Sequence, residues 1–431
     1  MNTPIRMQLM PGVWLTAIQT RKFKSSFWSL QLLTPLEKKT ASMAAVLPRV
    51  LRRGTAACPD QEQLGAALDD LYGGVIEPAV SKLGEVQMTG FMATFLDDSL
   101  TLDGRPIYPR AAELMGDLLL RPATKNGRLR SDYVLSERQN LLSDIKSLFN
   151  DKRTYSAVRL TQEMCRKEAY GVHRLGTQDE AEKITVTRLD KYYRQLLRES
   201  RVELYYCGSA KPEQIRQAWV EALMGLPRGQ ERELPETVTR IQPEEVRLVC
   251  DQMTVTQAKL AMGFRAGTCI QDGDYPALLM MNAVFGGGPN SKLFLNVREK
   301  LSLCYYAASG VDKHKGLILV QSGIDLDKTE ETQQEILHQL QAVRDGEFTD
   351  EDLEGARRLM LNQLTSCQDS QGALAAFYQD YVLSEHMLSP EELARQVREV
   401  KREDVIASAQ KVVLDTVYLL TASLAEAKQE N

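Results

Sequence analysis

A break in pattern near the middle of the chain constrains its fold more than any other feature. Between Leu226 and Glu245, Pro227, Gly229, Pro235 and Pro243 alternate with charged residues, and no apolar period survives. Proline lacks the backbone N–H and fixes φ, so such a stretch cannot lie inside a packed helix or sheet and reads as a linker over 227–245. The 431 residues therefore divide into 1–226 and 246–431, each long enough to bury a core of its own.

The two parts repeat one order of elements. In the first, Asp60 with Gln63 three residues on resembles a capping box, Leu64, Leu68 and Leu71 form one apolar stripe, and Gly73-Gly74 ends the helix. A strand over 85–95 and a helix over 111–120 follow, then a long helix from Ser131 to Phe149 with Val134, Leu141, Ile145 and Leu148 on one face. In the second part a helix over Tyr275–Phe285 stops at Gly286-Gly287-Gly288, and Gly316–Ile324 is β-branched enough for a buried strand. A helix over Thr332–Arg344 follows, and another begins at Thr349 with Asp352 as capping partner, burying Leu353, Ala356, Met360 and Leu364. Each part closes on an amphipathic helix and a strand, Tyr192–Arg198 with Val202–Cys207 and Val405–Val413 with Val417–Leu420. Strands cluster rather than alternate strictly with helices, which predicts an α+β fold of two homologous domains, each a mostly antiparallel or mixed sheet covered by helices.

A net charge of −5 with both signs interspersed gives no ground for nucleic-acid or membrane-surface binding. No run approaches 18 apolar residues, and Met1–Arg6 lacks the marks of a signal peptide. The seven cysteines are irregularly spaced without a Cys-x-x-Cys pair, so reduced thiols and a cytoplasmic location are expected.

Three blocks carry a family resemblance. The first runs from Ala45-Val46-Leu47-Pro48-Arg49 through Gly54-Thr55 to the capped helix that ends at Tyr72-Gly73-Gly74. The second is the helix containing Glu137 and, seven residues later, Asp144. The third is Gly286-Gly287-Gly288-Pro289-Asn290-Ser291-Lys292-Leu293-Phe294, followed by Val297-Arg298-Glu299-Lys300 and Tyr305. Together they resemble the insulinase, or pitrilysin-type, zinc peptidases, and most of all the non-catalytic proteins of bacterial gene pairs. The resemblance implies two homologous domains joined by the linker into a clamshell.

In active members a His-x-x-Glu-His helix supplies two zinc ligands and a general base, and a glutamate on the second helix completes the site. Here the matching positions hold Ala45, Pro48, Arg49 and Asp144. The resemblance thus implies no catalytic residue, no metal and no cofactor. Proline at 48 is expected to kink or end its helix, so that positions 45 and 49 lose their shared face. Asp144 is expected to pair with Arg49 in the vacated pocket. The resemblance assigns Arg298 and Tyr305 to peptide binding. It implies a catalytic homologue or a second copy as partner, with peptide or unfolded polypeptide as ligand.

Other readings draw less support. The three glycines with Ser291-Lys292 lack the P-loop spacing and follow a helix, which favours a turn over a nucleotide site. His173, His314, His338 and His386 share no metal-ligand spacing, and no serine or cysteine stands in a nucleophile elbow. An active zinc peptidase with unrecognised ligands and a scaffold without peptide binding remain the alternatives.

Overall fold

The computed structural model describes residues 3–384 and 386–422. Met1 and Asn2, part of the segment read above for a signal peptide, lie outside them. The chain forms two compact units that are not contiguous in sequence, as a division at 227–245 would make them. Among the described residues, one comprises 3–146, 172–236 and 370–382, and the other 147–171, 237–369, 383–384 and 386–422.

The sheet of the first unit is built from β1 (Ile5–Met10), β2 (Val13–Gln19), β3 (Ser25–Pro35), β4 (Val75–Leu83) and β5 (Val86–Leu96), and from β8 (Arg201–Gly208). A short hairpin of β6 (Thr124–Lys125) and β7 (Arg128–Leu129) stands apart. The sheet order is β1-β2-β8-β3-β5-β4, with β2 and β8 parallel and the other neighbours antiparallel. Helices α1 (Lys38–Leu51), α2 (Gln61–Asp69), α3 (Tyr108–Leu120) and α4 (Ser131–Ser147) also belong to this unit. Side chains alternate along β3, so Trp28, Leu30 and Leu32 point into one large apolar core together with α1, α3 and α4. Trp28 anchors that core, edge-on to Tyr206, Trp219 and Phe95 at centroid distances of 4.8, 5.7 and 6.3 Å.

The sheet of the second unit contains β9 (Arg247–Gln252), β10 (Ala258–Arg265), β11 (Cys304–Asp312), β12 (Leu317–Ile324) and β13 (Val413–Thr421). Its order is β11-β12-β10-β13-β9, with β13 and β9 parallel and the rest antiparallel. Read from β9, this repeats the first sheet from β2: in both, the closing strand is inserted between the first two of the set. The expected α+β class with mixed sheets is therefore the observed one, and the repeat of element order extends to strand topology.

Along the sequence the units alternate, because each part of the chain lends the other a helix. Helix α5 (Lys152–Met164) belongs to the second unit, where Leu160 is buried with Ala261, Tyr418 and Leu420, and Met164 with Leu317. The residues that follow α5 are tied in by charge. Arg265, 3% exposed, takes both oxygens of Glu168 at 2.7 and 3.3 Å and Asp415 at 2.8 Å, while the buried Lys315 reaches Glu168 at 2.6 Å. In return the helix Gln371–Gln379 belongs to the first unit. There Gln371 donates to the carbonyls of Ser25 and Cys207 at 2.7 and 2.9 Å, and Gln379 donates to Ser29 at 2.9 Å. Ser29 lies on the face of β3 opposite Leu30, so this helix covers the side that α1 leaves bare. Apolar periodicity shows that a helix buries a face, but not which sheet receives it, so a division at the linker leaves 147–171 and 370–382 with their sequence neighbours rather than with the sheets they cover.

Helix ends follow local chemistry where the sequence shows it. Asp60 accepts from the Gln63 amide at 2.9 Å, although the Gln63 side chain turns to the Asp60 carboxylate rather than to its backbone. Thr349 and Asp352 form the complete capping box. Of the four residues expected on that helix's buried face, Leu353 and Ala356 are buried and Met360 and Leu364 only half-buried.

Candidate functional site

Helix α1 does not end at Pro48 but continues to Leu51, so Ala45 and Arg49 keep one face a turn apart. The expected break fails for a local reason. A proline at 48 leaves the carbonyl of residue 44 without its helical donor, and the Thr89 hydroxyl on β5 donates to that carbonyl at 2.6 Å. Pro48 also lies in the last turn, where the chain regains its bonding at once through Arg52 N–H to the Pro48 carbonyl at 2.9 Å. Ala45 is fully buried.

Beyond the helix, Gly54 and Thr55 fold tightly. Thr55 donates its N–H to the Cys58 carbonyl at 2.7 Å, and its hydroxyl accepts from the Cys58 N–H at 2.9 Å. A Cβ on Gly54 would lie 2.7 Å from that same carbonyl oxygen, so only glycine fits.

Two guanidinium–carboxylate pairs join the end of α1 to α4. Arg49 Nη1 stands 2.7 Å from Asp144 Oδ2, and Arg53 Nη1 stands 3.0 Å from Glu137 Oε1. The other Glu137 oxygen accepts from Asn140 at 3.0 Å, and the Arg53 guanidinium also lies 5.0 Å from the Tyr133 ring centroid. The first pair is the one expected from sequence. The second was missed: Arg53 lies past the end of α1, four residues beyond Arg49, and only Glu137, two turns before Asp144 on α4, sat on a helix face the sequence could place.

Arg174 extends this cationic ground. Burial lowers its pKa first, and the neighbouring Arg49 lowers it further while Asp144 opposes, even though the side chain as a whole is exposed. Next to it, the Leu175 N–H donates to His173 Nδ1 at 3.3 Å, which requires that nitrogen to be unprotonated. Burial, reinforced by Arg174 and Lys82, pushes the His173 pKa down to about 4.

The residues expected to bind peptide lie in the second unit. The segment Leu293–Lys300 winds as a π-helix, with the Leu301 N–H reaching back five residues to Asn296. Arg298 on this segment is 3.4 Å from Glu299 and 4.7 Å from the Phe294 ring centroid. Tyr305, at the start of β11, is 56% exposed and donates to Asp325 at 3.2 Å; that bond and charge raise its pKa. The glycine run is a turn, as expected. Gly286 and Gly287 both give their N–H to the Asn282 carbonyl, at 2.9 and 2.8 Å, and a Cβ on Gly286 would meet Ser309 Oγ at 2.5 Å.

Zinc does not fit between the end of α1 and α4. Ala45 and Pro48 offer no donor atom, Arg49 places a fixed positive charge beside the site, and both carboxylates already hold guanidinium groups. Among the described residues, no group of three or more His, Cys, Asp or Glu side chains is placed to hold a metal ion. No helix among them is long and apolar enough to cross a membrane.

Comparison with known proteins agrees with this geometry. Residues 183–360 match the family model described as the peptidase M16 inactive domain. A probable inactive metalloprotease of Bacillus subtilis (strain 168) is 32% identical over 415 residues, covering 95% of this chain and 96% of the relative. A conserved protein from Enterococcus faecalis V583 superposes with a TM-score of 0.90 at 25% identity, over 98% of this chain and 99% of the other. A protease from Helicobacter pylori shares the fold at a TM-score of 0.81 and 15% identity, over 97% and 99% of the two chains.

Proposed function

The chain belongs to the peptidase M16 family, the insulinase-type peptidases, and on that premise we propose that it is a non-catalytic member that binds peptide as the partner subunit of a catalytic homologue. The observation that carries this reading is the pair of guanidinium–carboxylate contacts, Arg49 with Asp144 and Arg53 with Glu137, at the family's zinc site. Water activation needs a metal as Lewis acid and a free base at that point; Ala45, Pro48 and Arg49 supply neither a ligand nor a base, and both carboxylates are held by guanidinium groups. The B. subtilis relative, similar over nearly its whole length, is itself described as probably inactive.

Peptide binding rests on the second-unit segment. Arg298 and Tyr305 are both exposed and end in a planar cation and a hydroxyl, groups that suit carbonyl and carboxylate oxygens and require no metal. Their present partners, Glu299 and Asp325, are surface carboxylates that a peptide's own acceptors can displace at small cost.

The test is to purify the chain alone, then together with an M16 homologue that retains His-x-x-Glu-His, and to measure zinc content and peptidase activity. The chain alone should hold no stoichiometric zinc and turn over no peptide. Arg298→Ala should weaken peptide binding or partner-dependent proteolysis severalfold. Zinc-dependent turnover by the chain alone would refute the reading, and an Arg298→Ala variant that behaves as wild type would favour a scaffold role.

A further inference from the structure

The two sheets share one strand order but differ at one end. In the first unit β1 lies antiparallel on the outer side of β2, pairing from Ile5 with Ala17 to Met10 with Val13. The counterpart of β2 in the second unit is β9, which ends its sheet with no strand on that side among the described residues. Its free edge has a definite direction. Met253 gives its N–H to the Thr421 carbonyl on β13, and donors alternate sides along a strand, so Leu248, Cys250 and Gln252 turn theirs away from the sheet.

The side chains of those three residues share the uncovered face. Leu248 is 73% exposed and Cys250 is exposed, as is Val246 just before the strand. Arg247, Val249 and Asp251 face α5, where Asp251 holds Arg159 at 3.0 Å and Arg247 donates to the Glu163 carbonyl. β9 contains no proline or lysine, the usual guards of an open edge.

We propose that β9 is a self-association edge, pairing antiparallel with β9 of a second copy of this chain so that one sheet runs through both. The sequence Arg247-Leu248-Val249-Cys250-Asp251 is self-complementary about Val249. In that register Arg247 stands opposite the second copy's Asp251, twice by symmetry, and Leu248 stands opposite Cys250. Shifting the register by two residues places Val249 against Asp251 and removes both charge pairs. A six-residue pairing buries less than the ~1,000 Å² of a stable interface, so the dimer is weak and concentration-dependent.

Sedimentation equilibrium on the full chain, with disulfide trapping, tests this. The wild type should show a reversible monomer–dimer equilibrium. Leu248→Lys, at a side chain that the fold leaves in solvent, should raise the dissociation constant about tenfold or more. Leu248→Cys under mild oxidation should give an interchain disulfide with Cys250, because directly opposed strand residues lie within disulfide reach. Adding Cys250→Ser should abolish that product. A dimer that Leu248→Lys leaves intact, or a Leu248→Cys chain that does not cross-link, would overturn the proposal. So would a chain that dimerises only after residues 423–431 are removed, which would give the edge to its own tail. A chain that is monomeric in both forms would overturn it as well, leaving the edge to a foreign strand.

Discussion

Arg49 and Asp144, at two positions that the family resemblance matches to zinc ligands, stand 2.7 Å apart, with the carboxylate 47% and the guanidinium 22% exposed. Water screens such a pair, so it couples the helices without being worth a buried bridge. A double-mutant cycle on Arg49→Met and Asp144→Leu, read by urea unfolding, should give a coupling of about 1 kcal/mol. Additive single changes would show that the contact contributes nothing to stability.

The neighbouring rung should behave differently, because Glu137 is only 10% exposed. Arg53→Met leaves a nearly buried carboxylate with Asn140 as its remaining partner and should cost about 3 kcal/mol. Adding Glu137→Gln removes the stranded charge and should recover roughly half of that. A cost under about 1 kcal/mol would mean that water reaches Glu137 once Arg53 is gone.

These two rungs also mark what the sequence could and could not tell. The helix and strand segments, the repeated order and the meeting of Arg49 with Asp144 followed from periodicity, capping residues and the family pattern. Continuity through Pro48 did not, because it depends on the Thr89 hydroxyl, a residue distant in sequence on β5. The Arg265–Glu168–Lys315–Asp415 cluster was hidden in the same way. Its members are scattered along the chain, and nothing local to any of them announces the others.

Because α1 is unbroken, positions 45 and 49 keep the one-turn spacing of paired ligands although neither residue is a ligand. Restoring Ala45→His, Pro48→Glu, Arg49→His and Asp144→Glu together should produce a chain that binds about one zinc, by the three-ligand rule. Elemental analysis after gel filtration checks this, with a chelator-sensitive melting temperature as a second readout. A metal-free product would show that the fully buried position 45 leaves no room for an imidazole.

His173 should make the fold sensitive to mild acid. Its pKa is about 4 in the fold against 6.5 when unperturbed, so between those values the unfolded chain takes up a proton that the native chain refuses. Stability should therefore fall as pH drops from 6.5 toward 4, by up to about 3 kcal/mol from this group, and level off below. His173→Gln should flatten that part of the profile; an unchanged slope would place the acid sensitivity elsewhere.

The exchange of helices between the units also affects how the protein is made. A ribosome releases residues 1–236 long before Gln371–Gln379, the helix that covers the Ser29 side of the first sheet, has been translated. Until then that sheet emerges with one face unclothed. Helix α5 is in the opposite position: it is synthesised early and waits for Ala261 and Tyr418 to give it a bed. Neither unit can be completed from its own stretch of message, so the order of translation imposes a waiting time on both, during which a chaperone's apolar grip would have two surfaces to hold.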